Sequence, residues 1–428
     1  CRARFRRGSF IPPCAEKPSM QYLIVGAGPA GVNAAETLRS LNPDAGIRIL
    51  GDEPGPPYSR MAIPYLLMGE IDERGTHLRE RDDHFAALGI EIARARVRRL
   101  EPSAHRLVLE DGGVQEYDRL LIATGSSAWR PPLPGIDGEH VSTCWTLADA
   151  RAIQSRVSSG SRVALIGAGF IGSIILEALA MRGVQLAVIE QGERMVPRMM
   201  GPNAAGLLKR WCESKGVTVH TGVRVDSIEP NGVMLGDGTH IGADLVITAT
   251  GVRPNIDFLG GSGIEVEQGI LIDRHFRTNV ADIYAAGDVA QGLDFCTGAH
   301  SVHAIQPTAA DHGHLAASNM SGHEAEYEGS MNMNVLDTLG LLSCSFGSWQ
   351  GVEGGDQAEL YAPHDYRYLS LQFEDDRLIG ANAVGLSQHV GILRGLIQRR
   401  TPLGVWKQRL QRDPTRLMEA YLATTQVI

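Results

Sequence analysis

Two short glycine clusters carry the most specific chemistry in the sequence. Gly26-Ala27-Gly28-Pro29-Ala30-Gly31 follows an apolar run at 22–25, and Gly167-Ala168-Gly169-Phe170-Ile171-Gly172 follows another at 163–166. The spacing Gly-x-Gly-x-x-Gly is what a dinucleotide pyrophosphate requires. The first glycine permits a tight turn, the second lets phosphate approach the backbone, and the third lets helix and strand pack closely. A helix opening there offers free N–H groups and a partial positive charge. Beyond each cluster a second apolar run ends on an acid, Asp52 or its neighbour Glu53 in the first case and Glu190 in the second. A carboxylate so placed accepts hydrogen bonds from a ribose diol. Glu190 would repel a 2′-phosphate, and neither 191 nor 192 is basic. NADH is therefore favoured over NADPH, although Arg194 and Arg198 lie nearby.

The surrounding pattern supplies the elements that must hold these residues. Val32, Ala35 and Leu38 recur at helical spacing after the first cluster, and 47–50 and 185–189 read as strands. Each unit is followed by an apolar strand and an Ala-Thr-Gly turn: DRLLIATGSS at 118–127, with Thr124 and Gly125, and ADLVITATGVRPN at 243–255, with Gly251. A further strand, in NVADIYAAGDVAQ at 279–291, closes on Gly287-Asp288, where a carboxylate suits the hydroxyls of a ribityl chain.

The chain has 428 residues, enough for two or three domains. Its 21% charged and 43% hydrophobic residues are ordinary for a globular protein. A net charge of −9 argues against a nucleic-acid partner, and no apolar run is long enough for a membrane span. The six cysteines, at 1, 14, 144, 212, 296 and 344, form no Cys-x-x-Cys pair. They read as structural thiols in a reducing, cytoplasmic compartment, and no metal site is expected. Residues 1–19 read as a disordered basic tail.

In order, GAGPAG, ATG, GAGFIG, ATGVRPN and AAGD resemble the pyridine nucleotide-disulfide oxidoreductases, flavoproteins that bind two dinucleotides. Within that class the chain is most similar to rubredoxin reductases, ferredoxin reductases and apoptosis-inducing-factor-like proteins. The resemblance implies an α/β fold of two Rossmann-like three-layer domains, with an FAD domain at 20–143 and 257–325 and an NADH domain inserted at 144–256. A C-terminal α+β interface domain at 326–428 follows, with a mixed sheet and helices, and is a place for homodimer contacts. The stretch 52–60, DEPGPPYSR, matches a family pattern that assigns Asp52 to the adenosine ribose and lays Arg60 against FAD; Glu53 is the alternative if the strand runs one residue longer. By the same resemblance Val97, Arg130 (or Trp129), Asp288 and the backbone near Ile305 meet FAD, and 306–322 forms a helix beside the flavin.

Three positions depart from relatives of this kind. Members that reduce disulfides or peroxide carry a reactive cysteine where this chain has Met61. Methionine forms neither thiolate nor sulfenate, so that route is closed, and Met61 reads as a soft space-filling residue. Ferredoxin reductases usually pair a lysine with a glutamate at the places of Tyr65 and Ile174. Glu177, a turn after Ile174, reads as a packing or surface residue. His303 reads as a polar cap on the flavin pocket or a proton handler. The basic residues of 390–412 and the arginines of 93–100, read as one strand, are rival docking faces for an acidic carrier. The implied activity is electron transfer from NADH through FAD to a small redox protein, a rubredoxin or ferredoxin. Direct reduction of oxygen or a quinone, and redox sensing, are the alternatives.

Overall fold

The computed structural model describes residues 20–386, 388 and 390–425; the tail at 1–19 lies outside them. Strand Gln21–Val25 is hydrogen-bonded on both sides, to Gly46–Gly51 and to Arg119–Ile122, in a five-stranded parallel sheet completed by Ile90–Arg94 and Ile283–Ala285. Central strands of such a sheet are covered on both faces, so they show continuous apolar runs rather than alternation. Leu23, Ile24, Leu120, Leu121 and Ile122 are all buried. A three-stranded antiparallel sheet, Val97–Glu101, Arg106–Leu109 and Val114–Glu116, accompanies it.

The same construction recurs. Arg162–Ile166 lies between Gln185–Glu190 and Leu245–Thr248, with Thr218–Thr221 and Val141–Thr143 at the edges, all parallel. Its companion is a second antiparallel meander, Val225–Glu229, Gly232–Leu235 and His240–Gly242. Val141–Thr143 joins this second sheet three residues ahead of the border placed at 143/144. Where the chain crosses between the units, Ser126–Ala128 pairs antiparallel with Val252–Pro254.

The C-terminal domain is a five-stranded sheet, in the order Met333–Thr338, Leu341–Gly347, Arg377–Val384, Arg367–Glu374 and Asp356–Ala362. Every pairing in it is antiparallel, which corrects the mixed sheet expected. Successive strands joined by tight turns can only run antiparallel, and Asp375, at φ 51°, makes the Asp-Asp turn at 375–376 that the sequence suggests. Helices Val390–Gln398 and Val405–Arg412 bury Leu393, Leu396, Ile397 and Leu410 in its core. No helix among the described residues is long and apolar enough to cross a membrane.

The stretch 93–100 is not one strand. Arg94 ends Ile90–Arg94 and Arg98 belongs to the next sheet. Arg96, between them, lies 3.5 Å from Glu110 and 4.0 Å from Asp52, so the arginines form no single basic face.

Candidate active site

Helix Pro29–Leu41 opens on the first glycine cluster, with Pro29 at its first turn, where a missing N–H costs nothing. The glycines divide by what a side chain would meet. A Cβ on Gly26 would lie 2.0 Å from the Ala123 carbonyl oxygen, and one on Gly31 would lie 1.9 Å from that of Gly26. A Cβ on Gly28 would meet nothing within 4 Å. The second cluster repeats this division: Gly167 would strike the Ala249 carbonyl at 2.4 Å and Gly172 that of Gly167 at 2.1 Å, while Gly169 faces open space. Both loops are thus packed tight where strand and helix meet and open where a pyrophosphate would approach the backbone. That geometry fits the two cofactors.

A cleft of about 580 Å³ begins at the first cluster. Gly26, Gly28, Pro29 and Ala30 line it, as do Asp52, Glu53, Val97 and Arg98. Thr124, Gly125, Gly287 and Asp288 form a further wall. The lining also takes in Arg60, Met61, Pro64, Cys144 and Trp145, together with Phe170, Ile171, Ile174 and Ile175 from the second unit. The second fingerprint helix, Phe170–Met181, therefore presents its first turns to the cleft of the first.

The strand before Asp52 ends at Gly51, so Asp52 rather than Glu53 follows it directly. Asp52 is exposed. Glu53 is committed elsewhere: it accepts from the Arg60 guanidinium at 2.6 Å and from the Tyr58 hydroxyl at 2.5 Å. Arg60 also donates to the Trp145 carbonyl at 2.8 Å and stands over the Trp145 ring, 5.4 Å from its centroid. This cluster fixes a cation in the cleft wall with its charge balanced. Asp288 accepts from the Ser126 hydroxyl at 2.9 Å, and burial raises its carboxyl above the ordinary value. Thr124 and Asn255 exchange two side chain–backbone hydrogen bonds of 2.8 Å, which tie the two Ala-Thr-Gly turns together.

Not every expected residue reaches the cleft. Arg130 is absent from the lining: its guanidinium donates to the Ile136 carbonyl and lies 3.5 Å from the exposed Asp137. Ile305 precedes helix Gln306–Met320, and its neighbours Ala304 and Gln306 face the cleft instead. Gly31, Gly167, Gly169, Gly172, Glu190 and Gly251 lie outside its lining. Glu190 sits at the second fingerprint, accepting from the backbone N–H of Ala168 and of Gly192, both at 2.8 Å.

Tyr65 and Ile174 do not share the cleft. A short 3-10 turn, Arg60–Ala62, rotates the following helix, Ile63–Met68, so that Pro64 lines the cleft and Tyr65 is 50% exposed outside it. Ile174 does face the cleft, beside Met61, which is 45% exposed. Glu177 accepts from the Leu339 N–H at 3.1 Å, tying the second unit to the C-terminal hairpin. His303 pairs with Asp294 at 3.2 Å and does not line the cleft.

Ser126, Trp145 and Asn255 line the cleft although no motif names them, and Cys144, expected as a structural thiol, lines it too. Ser126 and Asn255 are marked in sequence only by proximity to the Ala-Thr-Gly turns, whereas Trp145 meets one of them only in the fold, its Nε1 donating to the Ser126 carbonyl at 2.8 Å. Burial pushes the Cys144 thiol up to about 12, so it stays protonated and unreactive. Among the described residues no cluster of His, Cys, Asp or Glu could hold a metal ion.

Comparison with known proteins agrees with this geometry. The family model described as pyridine nucleotide-disulphide oxidoreductase matches residues 20–304. The chain is 31% identical over 402 residues to the NADH-dependent phenylglyoxylate dehydrogenase subunit epsilon of Aromatoleum evansii, covering 92% of this chain and 95% of that one. It is 28% identical to the ferredoxin–NAD(+) reductase component of the 3-phenylpropionate/cinnamic acid dioxygenase of Photorhabdus laumondii, covering 88% and 95%. Among solved structures, putidaredoxin reductase in its covalent complex with putidaredoxin superposes with a TM-score of 0.87, at 24% identity over 95% of this chain and 99% of that one. The chain belongs to the pyridine nucleotide-disulphide oxidoreductase family, and with it to the flavoprotein reductases that use FAD and a nicotinamide dinucleotide, NADH.

Proposed function

We propose that this protein carries electrons from NADH, by way of FAD, to a small electron-carrier protein of the ferredoxin or rubredoxin type. Both fingerprint helices converge on one cleft whose lining holds Met61 and a buried, protonated Cys144, and this convergence carries the reading. When bound, FAD supplies a two-electron acceptor for hydride and a donor of single electrons.

The chain's own residues do the binding and positioning. The Gly28 and Gly169 loops present backbone N–H groups to the two pyrophosphates. Asp52 takes the adenosine ribose of FAD, and Asp288 accepts from the ribityl hydroxyls. Glu190 does the same for the NADH ribose, and its charge opposes a 2′-phosphate. Met61, Ile171 and Ile174 give the cleft an apolar wall where the two cofactors would meet. With no cysteine relay, the electrons leave directly to a partner that docks.

Support for a protein carrier comes from the ferredoxin reductase relative, and a cytoplasmic location and pairing of two chains through the C-terminal domain complete the proposal. The experiment is steady-state NADH oxidation with and without a purified ferredoxin or rubredoxin. Strong stimulation by the carrier is expected. Equal turnover on oxygen or a quinone alone would point to the direct oxidase reading.

A further inference from the structure

The segment that follows the Glu190 strand contains the least comfortable backbone position in the second unit. Val196 has φ 43° and is 1% exposed. A β-branched residue is an outlier in the left-handed region, where the strain persists only if surroundings hold it. Here they do. The Val196 N–H donates to the Ala168 carbonyl at 2.8 Å, and the Val196 carbonyl accepts from the N–H groups of Met199 and Met200 at 2.8 and 2.9 Å.

Ala168 is the middle residue of Gly167-Ala168-Gly169. Its own N–H donates to Glu190 at 2.8 Å. The tip of the second fingerprint is therefore gripped from two sides, by Glu190 and by Val196. The segment holding Val196 is in turn gripped by the C-terminal domain. Asn382, in strand Arg377–Val384 and 2% exposed, donates from Nδ2 to the Met199 carbonyl at 2.9 Å and accepts at Oδ1 from the Gly201 N–H at 3.3 Å. A buried side chain that satisfies two backbone groups of another segment is costly to replace, because both would be left unpaired.

We propose that Asn382 and Val196 are positioning residues for NADH, through which the C-terminal domain fixes the phosphate-binding loop of the second unit. The inference rests on the reading of that loop as the NADH site. Linkage makes it reciprocal: if Asn382 and Val196 hold the loop in its binding form, bound NAD+ must stabilise their contacts in return.

Two measurements on the full chain with FAD bound test this. In the wild-type protein, saturating NAD+ should slow amide hydrogen exchange in the peptide containing Val196 and Gly201. In Asn382→Leu, NAD+ binding measured by calorimetry should weaken by about tenfold or more, a loss of roughly 1.4 kcal/mol, with FAD content unchanged. Asn382→Asp keeps the acceptor for Gly201 but sets a carboxylate oxygen against the Met199 carbonyl, so NAD+ binding should weaken at least as much as in Asn382→Leu. Exchange at 196–201 that ignores NAD+ overturns the inference, as does an Asn382→Leu protein that binds NAD+ like the wild type. Failure of the wild-type protein to bind NAD+ at all would instead remove the functional reading beneath it.

Discussion

Met61 lines the cleft with a thioether that has no proton to lose, so it brings no thiol chemistry there. Around it the polar side chains are already committed: Arg60 to Glu53, Glu53 to Tyr58, and Asp288 to Ser126. On the far side of the Gly287 turn, His312 is buried, with Nε2 3.0 Å from the Tyr327 hydroxyl, and accepts at Nδ1 from the Gly287 N–H at 3.4 Å. Burial, with a smaller push from His303, drives its pKa down to about 3 from 6.5. The folded protein thus binds fewer protons than the unfolded chain between these values. Stability should fall as pH drops below about 6.5, by at most ~1.4 kcal/mol per pH unit from this group. Chemical denaturation of His312→Gln and wild type across that window checks it: the variant should show the shallower acid limb, and equal slopes would refute the assignment. None of this was legible in sequence, where His312 was one of several histidines and its partners lie 15 and 25 residues away.

At the scale of elements, the strand–glycine turn–helix units were legible because their rule is local. Three glycines must fit one turn, and the spacing alone states which one faces the ligand. That yields a paired prediction. Gly31→Ala places a methyl group against the Gly26 carbonyl and should destabilise the protein by about 1–3 kcal/mol. Gly28→Ala meets no protein atom, so the apoprotein should keep its stability within about 0.5 kcal/mol while FAD retention falls. Thermal melts of both apoproteins and their flavin content after dialysis distinguish the roles; equal melting losses would remove the distinction. Register outside such units was harder to read. The 3-10 turn at Arg60–Ala62 swings Pro64 into the cleft in place of Tyr65, and Arg130 finds an acid at 137 that a motif comparison ignores. The arginines at 93–100 look like one strand because the break between two sheets leaves no Pro or Gly behind.

At the scale of the molecule, the two dinucleotide units meet along one cleft and the C-terminal sheet braces the second unit through Glu177, Trp211 and Asn382. These braces join residues more than a hundred positions apart, which no local pattern announces. Docking of an acidic carrier on a chain of net charge −9 would need a local basic face, and part of the one at 390–412 is already spent: Lys407 pairs with Asp356, and Arg409 stacks on Trp406. Arg399 and Arg412 are exposed. Raising ionic strength should therefore slow carrier-dependent turnover while leaving flavin reduction by NADH unchanged. A carrier rate indifferent to salt would contradict electrostatic docking.

Electrons that pass from NADH to the flavin should wait there, because no thiol relay takes them on. Anaerobic titration of the oxidised protein with NADH, followed by flavin absorbance, tests it most directly. A single equivalent of NADH per FAD should bleach the flavin completely. A second equivalent consumed before bleaching ends would reveal a hidden redox group on the chain, and a flavin left oxidised by NADH would contradict the account outright.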